Sequence, residues 1–275
     1  MLPDFLCIGA QKAATTWLHV HLATHPELWL PPIKELQYFN HLFIEDDRRW
    51  THRHLGDHAR AVLRRHVNAG GEIDLDYVGY VSRLATEEPF TEAWYRRAFD
   101  RPEAAGRLRG DVTPAYCAIG AAGIAYLRSL LAAVKVIYII RDPVERALSH
   151  LRMIAEHRGV AAPDDAKWEE FAAEPMVWAH SAYSEHVPLW RAAFAPGDLL
   201  FLPYGRVAAN PLGVLREVEL FLGVKPHGYS GLDQRIHATG SKTVSGSLRD
   251  RLEARLGPER AFVRNAFGSE FAAAI

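Results

Sequence analysis

A lysine inside a run of small residues, with two hydroxyls just beyond it, is suited to holding an anion. Residues 9–16 read Gly-Ala-Gln-Lys-Ala-Ala-Thr-Thr, so Lys12 supplies a positive charge and Thr15 and Thr16 supply donors, while Gln11, Ala13 and Ala14 complete the loop. If a helix begins here, its first N–H groups have no intrahelical partner and its dipole favours negative charge in front of them. A second cation, Arg141, closes the hydrophobic run at 135–140, and Ser149 follows eight residues later. Glu35 lies among apolar and aromatic residues beside Lys34. A carboxylate in that company is either a solvated loop residue or a functional base.

These residues can act together only if the chain brings them to one edge. Residues 5–8 predict a buried strand, and a helix is expected over 16–25, stopped by Pro26. Residues 135–140 predict a fully buried parallel strand. Asp142 and Pro143 then suit the cap and first position of a helix reaching about Glu156, which puts Ser149 two turns in. A further strand is expected over 198–204, and Asn210 and Gly223 bracket an amphipathic helix. Helices are also expected over 91–99, with Trp94, Tyr95 and Phe99 in the core, and over 120–131. Ser247 is expected to cap a helix over 248–256, with a frayed tail after Phe271. Alternating strands and helices imply an α/β protein whose parallel sheet is covered by helices. In such sheets ligands bind at the carboxyl ends of the strands, where Lys12 and Arg141 would both lie.

The lysine loop is not the common nucleoside-triphosphate loop, in which lysine directly precedes the hydroxyl residue; Lys12 stands three places earlier. Gly-x-x-Lys-x-x-Thr-Thr instead resembles the 5′-phosphosulfate loop of the sulfotransferases that use 3′-phosphoadenosine 5′-phosphosulfate (PAPS). Ile140-Arg-Asp-Pro-Val-Glu-Arg-Ala-Leu-Ser149 resembles the 3′-phosphate motif of the same family, whose arginine and serine hold that phosphate. Lys34-Glu-Leu-Gln-Tyr-Phe39 is similar to the Lys-Glu-x-x-Phe-Phe segment of the heparan-sulfate-type members, where the glutamate deprotonates the acceptor hydroxyl. Residues 109–116 resemble their Glu-Lys-Thr-Pro-x-Tyr segment, with Asp111 keeping the acid and Val112 replacing the lysine. Residues 180–191 resemble the helix beside the nucleotide, with Tyr183 at its tyrosine and Ser181 at its glycine; a core helix packed through Tyr183 and Trp190 is the alternative. The family's late basic segment, which closes over the 3′-phosphate and adenine, would correspond to Lys242, or to Arg235.

The resemblance implies a P-loop-type three-layer α/β/α fold with a central parallel sheet, residues 1–275 forming a single sulfotransferase domain. It implies Lys12, Glu35 and Asp111 as catalytic residues. Gln11, Lys12, Ala13, Ala14, Thr15, Thr16, Arg141, Ser149, Tyr183 and Lys242 would bind PAPS, whose product is 3′,5′-adenosine bisphosphate, with no metal required. The acceptor would offer a hydroxyl or an amine, and the loss of lysine at Val112 favours a small or glycosylated molecule over a long anionic glycan. A P-loop ATP- or GTP-dependent kinase and a non-catalytic nucleotide-binding protein are the alternatives.

Composition narrows the rest. A net charge of −1 with 24% charged residues gives no bulk attraction for nucleic acid. Two cysteines, Cys7 and Cys117, form no disulfide framework. The N-terminus lacks a signal pattern and no run is long enough to span a membrane, so a cytoplasmic protein without a membrane anchor is expected. Four histidines stand at 52, 54, 58 and 66. On a helix His54 and His58 would lie one turn apart and could share a metal. No further ligands complete such a site, so surface or acceptor-facing positions are expected.

Overall fold

The computed structural model of the chain describes residues 1–232 and 244–275. Five strands, β1 (Phe5–Gly9), β2 (Leu28–Trp29), β3 (Leu108–Val112), β4 (Lys135–Ile140) and β5 (Leu199–Pro203), form one sheet in the order β2-β3-β1-β4-β5. Every pairing is parallel. The apolar run that makes β1 is buried along its whole length, which requires cover on both faces. Helices supply it in a three-layer α/β/α arrangement.

In the first half of the chain these are α1 (Thr15–Leu22), α2 (Tyr38–Phe43), α3 (Arg48–Asn68), α4 (Leu75–Thr86), α5 (Glu92–Arg97) and α6 (Gly120–Leu130). The second half adds α7 (Pro143–His157), α8 (Asp165–Ala172), α9 (Pro175–Ala179), α10 (Tyr183–Ala193), α11 (Gly205–Ala209), α12 (Pro211–Leu222), α13 (Gly246–Phe267) and α14 (Ser269–Ala273). Trp94, Tyr95 and Phe99 are fully buried, as their amphipathic spacing predicts. The expected caps also form. Asp142 accepts from the N–H groups of Val144 and Glu145 at 3.0 and 2.9 Å, and Asn210 accepts from Gly213 at 3.0 Å. Gly223 closes α12 with φ 78°, a conformation that costs glycine little.

Several boundaries differ from expectation. α1 starts at Thr15 and ends at Leu22, before Pro26 is reached. The last long helix is capped by Ser245 rather than Ser247 and runs on to Phe267, because its buried Leu248, Leu252, Leu256 and Val263 keep one face against the body. The tail is not frayed. Phe271 stacks on Phe267 at 4.6 Å, and the Ala274 carbonyl accepts from the Gly205 N–H at 2.7 Å. α13 also clamps the start of α7: Arg260 pairs with Asp142 and Glu253, and Arg249 with Glu145 at 2.5 Å.

The centre of the sheet is packed without slack. Phe5 on β1 pairs with Gly110 on β3, and a Cβ at Gly110 would lie 2.1 Å from the Phe5 ring. We expect Gly110→Ala to cost about 1–3 kcal/mol through overpacking. Urea unfolding should show a lower midpoint at an unchanged slope, and a wild-type midpoint would contradict this contact.

Candidate functional site

Parallel pairing carries the two cationic motifs to the same edge. The Ala10 N–H donates to the Ile139 carbonyl at 2.8 Å, which sets the loop after β1 beside the end of β4. Gly9 makes the exit possible: its φ is 154°, and a Cβ there would meet the Pro114 carbonyl at 3.1 Å and the Tyr138 ring at 3.2 Å. Lys12 and Ala14 both take left-handed conformations, with φ 67° and 63°. This tight winding delivers the chain into α1, whose start has no side-chain cap. Its leading N–H groups are therefore available to an anion.

Arg141 leaves the end of β4 and donates from Nη1 to the Lys12 carbonyl at 2.5 Å. Its guanidinium lies over the Tyr204 ring at 4.4 Å. The Tyr183 hydroxyl donates to the Arg141 carbonyl at 2.8 Å, so this fully buried tyrosine bears on the edge through Arg141. Burial, followed by the nearby Arg141, holds the Lys12 pKa below its ordinary value. Arg141 Nε and Gln11 Oε1 are buried without a hydrogen-bond partner. Ala13 and Thr15 are buried, Gln11, Ala14 and Thr16 half-buried, and Ser149 sits buried in α7. Lys242 and Arg235 lie outside the described residues.

Glu35 occupies the segment between β2 and α2. Its Oε1 accepts from Lys34 Nζ at 2.9 Å and its Oε2 from Gln37 Nε2 at 2.7 Å. Burial alone would raise its pKa, but Lys34 and then His54 outweigh that effect, and the carboxyl sits below its ordinary value. An ionised carboxylate with 18% of its side-chain surface exposed can accept a proton.

Asp111 holds that segment in place. At the end of β3 its carboxylate accepts from Thr113 Oγ1 at 2.7 Å, Tyr116 OH at 2.8 Å and Tyr95 OH at 3.0 Å. Thr113 Oγ1 in turn accepts from the Leu36 N–H, and Tyr116 OH from the Tyr38 N–H, each at 3.1 Å. Leu36, between Glu35 and Gln37, and Tyr38, just after them, are thus tied through hydroxyls to one buried acid. Desolvation raises the Asp111 pKa to about 6 despite its three donors. Tyr95 was expected only as a core residue, and Gln37 was given no role. Tyr95 lies 16 residues before Asp111, a separation with no local signature. His19, three residues past the anticipated donor Thr16, was also missed, although its place one helical turn after Thr15 puts it on the site side of α1.

His54 and His58 stand on α3, one turn apart, and their rings stack at 4.0 Å. No group of three or more His, Cys, Asp or Glu side chains that could hold a metal ion occurs among the described residues. No helix among them is long and apolar enough to cross a membrane.

A parallel sheet with a cationic loop and an uncapped helix start at its carboxyl edge, and a separate carboxylate at Glu35, suits a protein that binds an anionic group. The sequence profile of the Sulfotransferase family matches residues 3–227, and the chain belongs to that family. Similar proteins include the mouse bifunctional heparan sulfate N-deacetylase/N-sulfotransferase 3, 25% identical over 82% of this chain and 23% of that protein. Mouse heparan sulfate glucosamine 3-O-sulfotransferase 3B1 is 29% identical over 48% of this chain and 35% of its own length. The chain therefore spans about a quarter to a third of these relatives. In fold it is similar to a sulfotransferase from Alicyclobacillus acidocaldarius, with a TM-score of 0.68 and 21% identity over 97% of this chain and 96% of that one. 

The Asp111 environment makes a signed prediction. Its folded pKa, about 6, lies above the unfolded value of about 3.9, so the native state holds a proton that the unfolded chain releases between these values. Stability from this group is therefore lost as pH rises from about 4 to about 6, by roughly 2–3 kcal/mol. Relative to Asp111→Asn, the wild type should become less stable across that window in chemical denaturation. A constant difference between the two proteins would show that Asp111 titrates normally.

Proposed function

We propose that the chain transfers a sulfuryl group from PAPS to a hydroxyl of a small-molecule or carbohydrate-containing acceptor. The observation that carries the donor assignment is the concentration of Lys12 and Arg141 at the uncapped start of α1, with Arg141 Nε and Gln11 Oε1 buried and unpartnered. A ligand with two separated phosphates and a ribose suits these groups: anionic oxygens for the cations and N–H groups, a hydroxyl donor for Gln11. Lys12, Thr15, Thr16 and the backbone at Ala13 and Ala14 would hold the 5′-phosphosulfate. Arg141 and Ser149 would hold the 3′-phosphate, with Tyr183 fixing Arg141. An arriving anion favours the charged form of Lys12, offsetting the effect of burial.

In the transfer, the acceptor oxygen forms a bond to sulfur as the bond from sulfur to the phosphate oxygen breaks. The electron pair leaves with 3′,5′-adenosine bisphosphate, and the acceptor's proton passes to Glu35. Lys12 and the helix start stabilise charge growing on the leaving oxygen. Asp111 contributes by fixing the segment that carries Glu35. Heparan sulfate in the relatives' names supports a carbohydrate-containing acceptor. A kinase would want an acid free to organise magnesium after the second strand, but Asp142 caps α7 and pairs with Arg260.

Thermal shift with 3′,5′-adenosine bisphosphate in EDTA, set beside ATP with magnesium, tests the donor site. At 100 times its dissociation constant the bisphosphate should stabilise the fold by about 2.7 kcal/mol. A shift with ATP and magnesium alone would overturn the assignment. Lys12→Ala and Glu35→Gln should each lower turnover by about 10²–10³ while remaining folded. Near-wild-type turnover in either variant would remove that residue from the chemistry.

A further inference from the structure

The Glu35 carboxylate is approached by imidazoles from two helices that are far apart in sequence. His54 and His58 come from α3, and both rings feel the charges of Glu35 and Lys34. His19 comes from α1, and its ring also feels the charges of Lys34 and Glu35. All three residues are half-buried. His19 Nδ1 and His54 Nε2, however, are buried atoms without any hydrogen-bond partner. Such atoms cost free energy unless a ligand satisfies them.

We propose that His19, His54 and His58 form the acceptor subsite, and that they recognise an uncharged, polyhydroxylated acceptor such as a neutral glycoside by hydrogen bonds to its hydroxyls. The proposal rests on the sulfuryl-transfer reading above and adds which residues select the acceptor and what its charge must be. Desolvation, the first cause in each case, pushes the pKa of His19 down to about 3 and that of His54 to about 4. Both rings are then neutral at physiological pH, and each can donate or accept according to its tautomer. Of the cations whose charge His19 feels, Lys34 is already matched by Glu35 at 2.9 Å, and Arg65 stands near the end of α3. Val112 supplies no charge at the end of β3. Hydroxyls of a neutral sugar can satisfy both orphaned nitrogens without a charge partner.

The test uses the full chain with radiolabelled PAPS and two sets of probes: uncharged p-nitrophenyl β-glycosides of glucose, galactose and xylose, and desulfated heparin as a polyanion. Transfer to at least one uncharged glycoside is expected. His54→Phe should raise KM for that glycoside by about tenfold, and His54→Gln, which keeps a nitrogen near Nε2, should recover most of the loss. Both variants should keep the wild-type thermal shift with 3′,5′-adenosine bisphosphate. Labelling of desulfated heparin alone, no transfer to any glycoside, or equal KM values in His54→Phe and wild type would each overturn the proposal. Absence of both the bisphosphate shift and all labelling in the wild type would instead mark failure of the sulfuryl-transfer reading.

Discussion

Arg141 reaches across the end of the sheet to the Lys12 carbonyl at 2.5 Å, bringing a guanidinium against the loop that carries a second cation. Like charges at short range in a partly desolvated setting repel, and the reduced pKa of Lys12 records that repulsion after the larger cost of burial. The fold must hold this arrangement before any anion arrives. Adjacent parallel strands fix the distance, Tyr183 pins the Arg141 backbone, and the Tyr204 ring offers its face to the guanidinium. Clamping of Asp142 by Arg260 and the α7 N–H groups keeps the neighbouring acid from neutralising Arg141. The edge is thus preorganised for negative charge.

A different device positions the base. Glu35 lies on an irregular segment with no regular structure to orient it, so its neighbours' backbone groups must be satisfied from elsewhere. Thr113 and Tyr116 do so, and both hydroxyls are oriented by donating to Asp111. The raised pKa of Asp111 shows that desolvation outweighs the help of three donors, so the network costs stability to obtain a defined geometry. Tyr38 stacks on Tyr95 at 4.3 Å, adding an apolar contact to the same joint. One strand end, β3, therefore governs the base segment, while β1 and β4 govern the cationic edge.

What the sequence discloses follows from how local each cause is. The strands at β1 and β4 are legible because their apolar runs are continuous, and the Asp142 and Asn210 caps because capping acts within three residues. Lys12 and Arg141 could be paired in advance because parallel strands end at a common edge. The hidden parts all depend on contacts between distant residues. Asp111 carries no mark that Tyr95 will donate to it, and the spacing of His54 and His58 shows a shared helix face but not that this face turns toward Glu35. The end of α13 was misplaced for the same reason: its continuation past Leu256 is set by Val263 packing on the body, and Ser245 and Ser247 are equally good caps by type.

The departure at Val112 is best understood through charge balance around Glu35. Buried at the end of β3, a valine leaves the base segment with Lys34 as its immediate cation, and that lysine bonds directly to the carboxylate it accompanies. The pairing keeps Glu35 ionised although burial alone would favour its protonated form. It also uses the charge that an anionic acceptor would otherwise meet. A lysine at 112 would add positive potential beside Asp111, lowering the cost of the buried acid while drawing anions toward the base. Valine leaves Asp111 to its hydroxyls alone and leaves the approach to Glu35 lined by imidazoles that burial keeps uncharged. The same substitution thus bears on both the stability of the joint and the chemistry of what can enter.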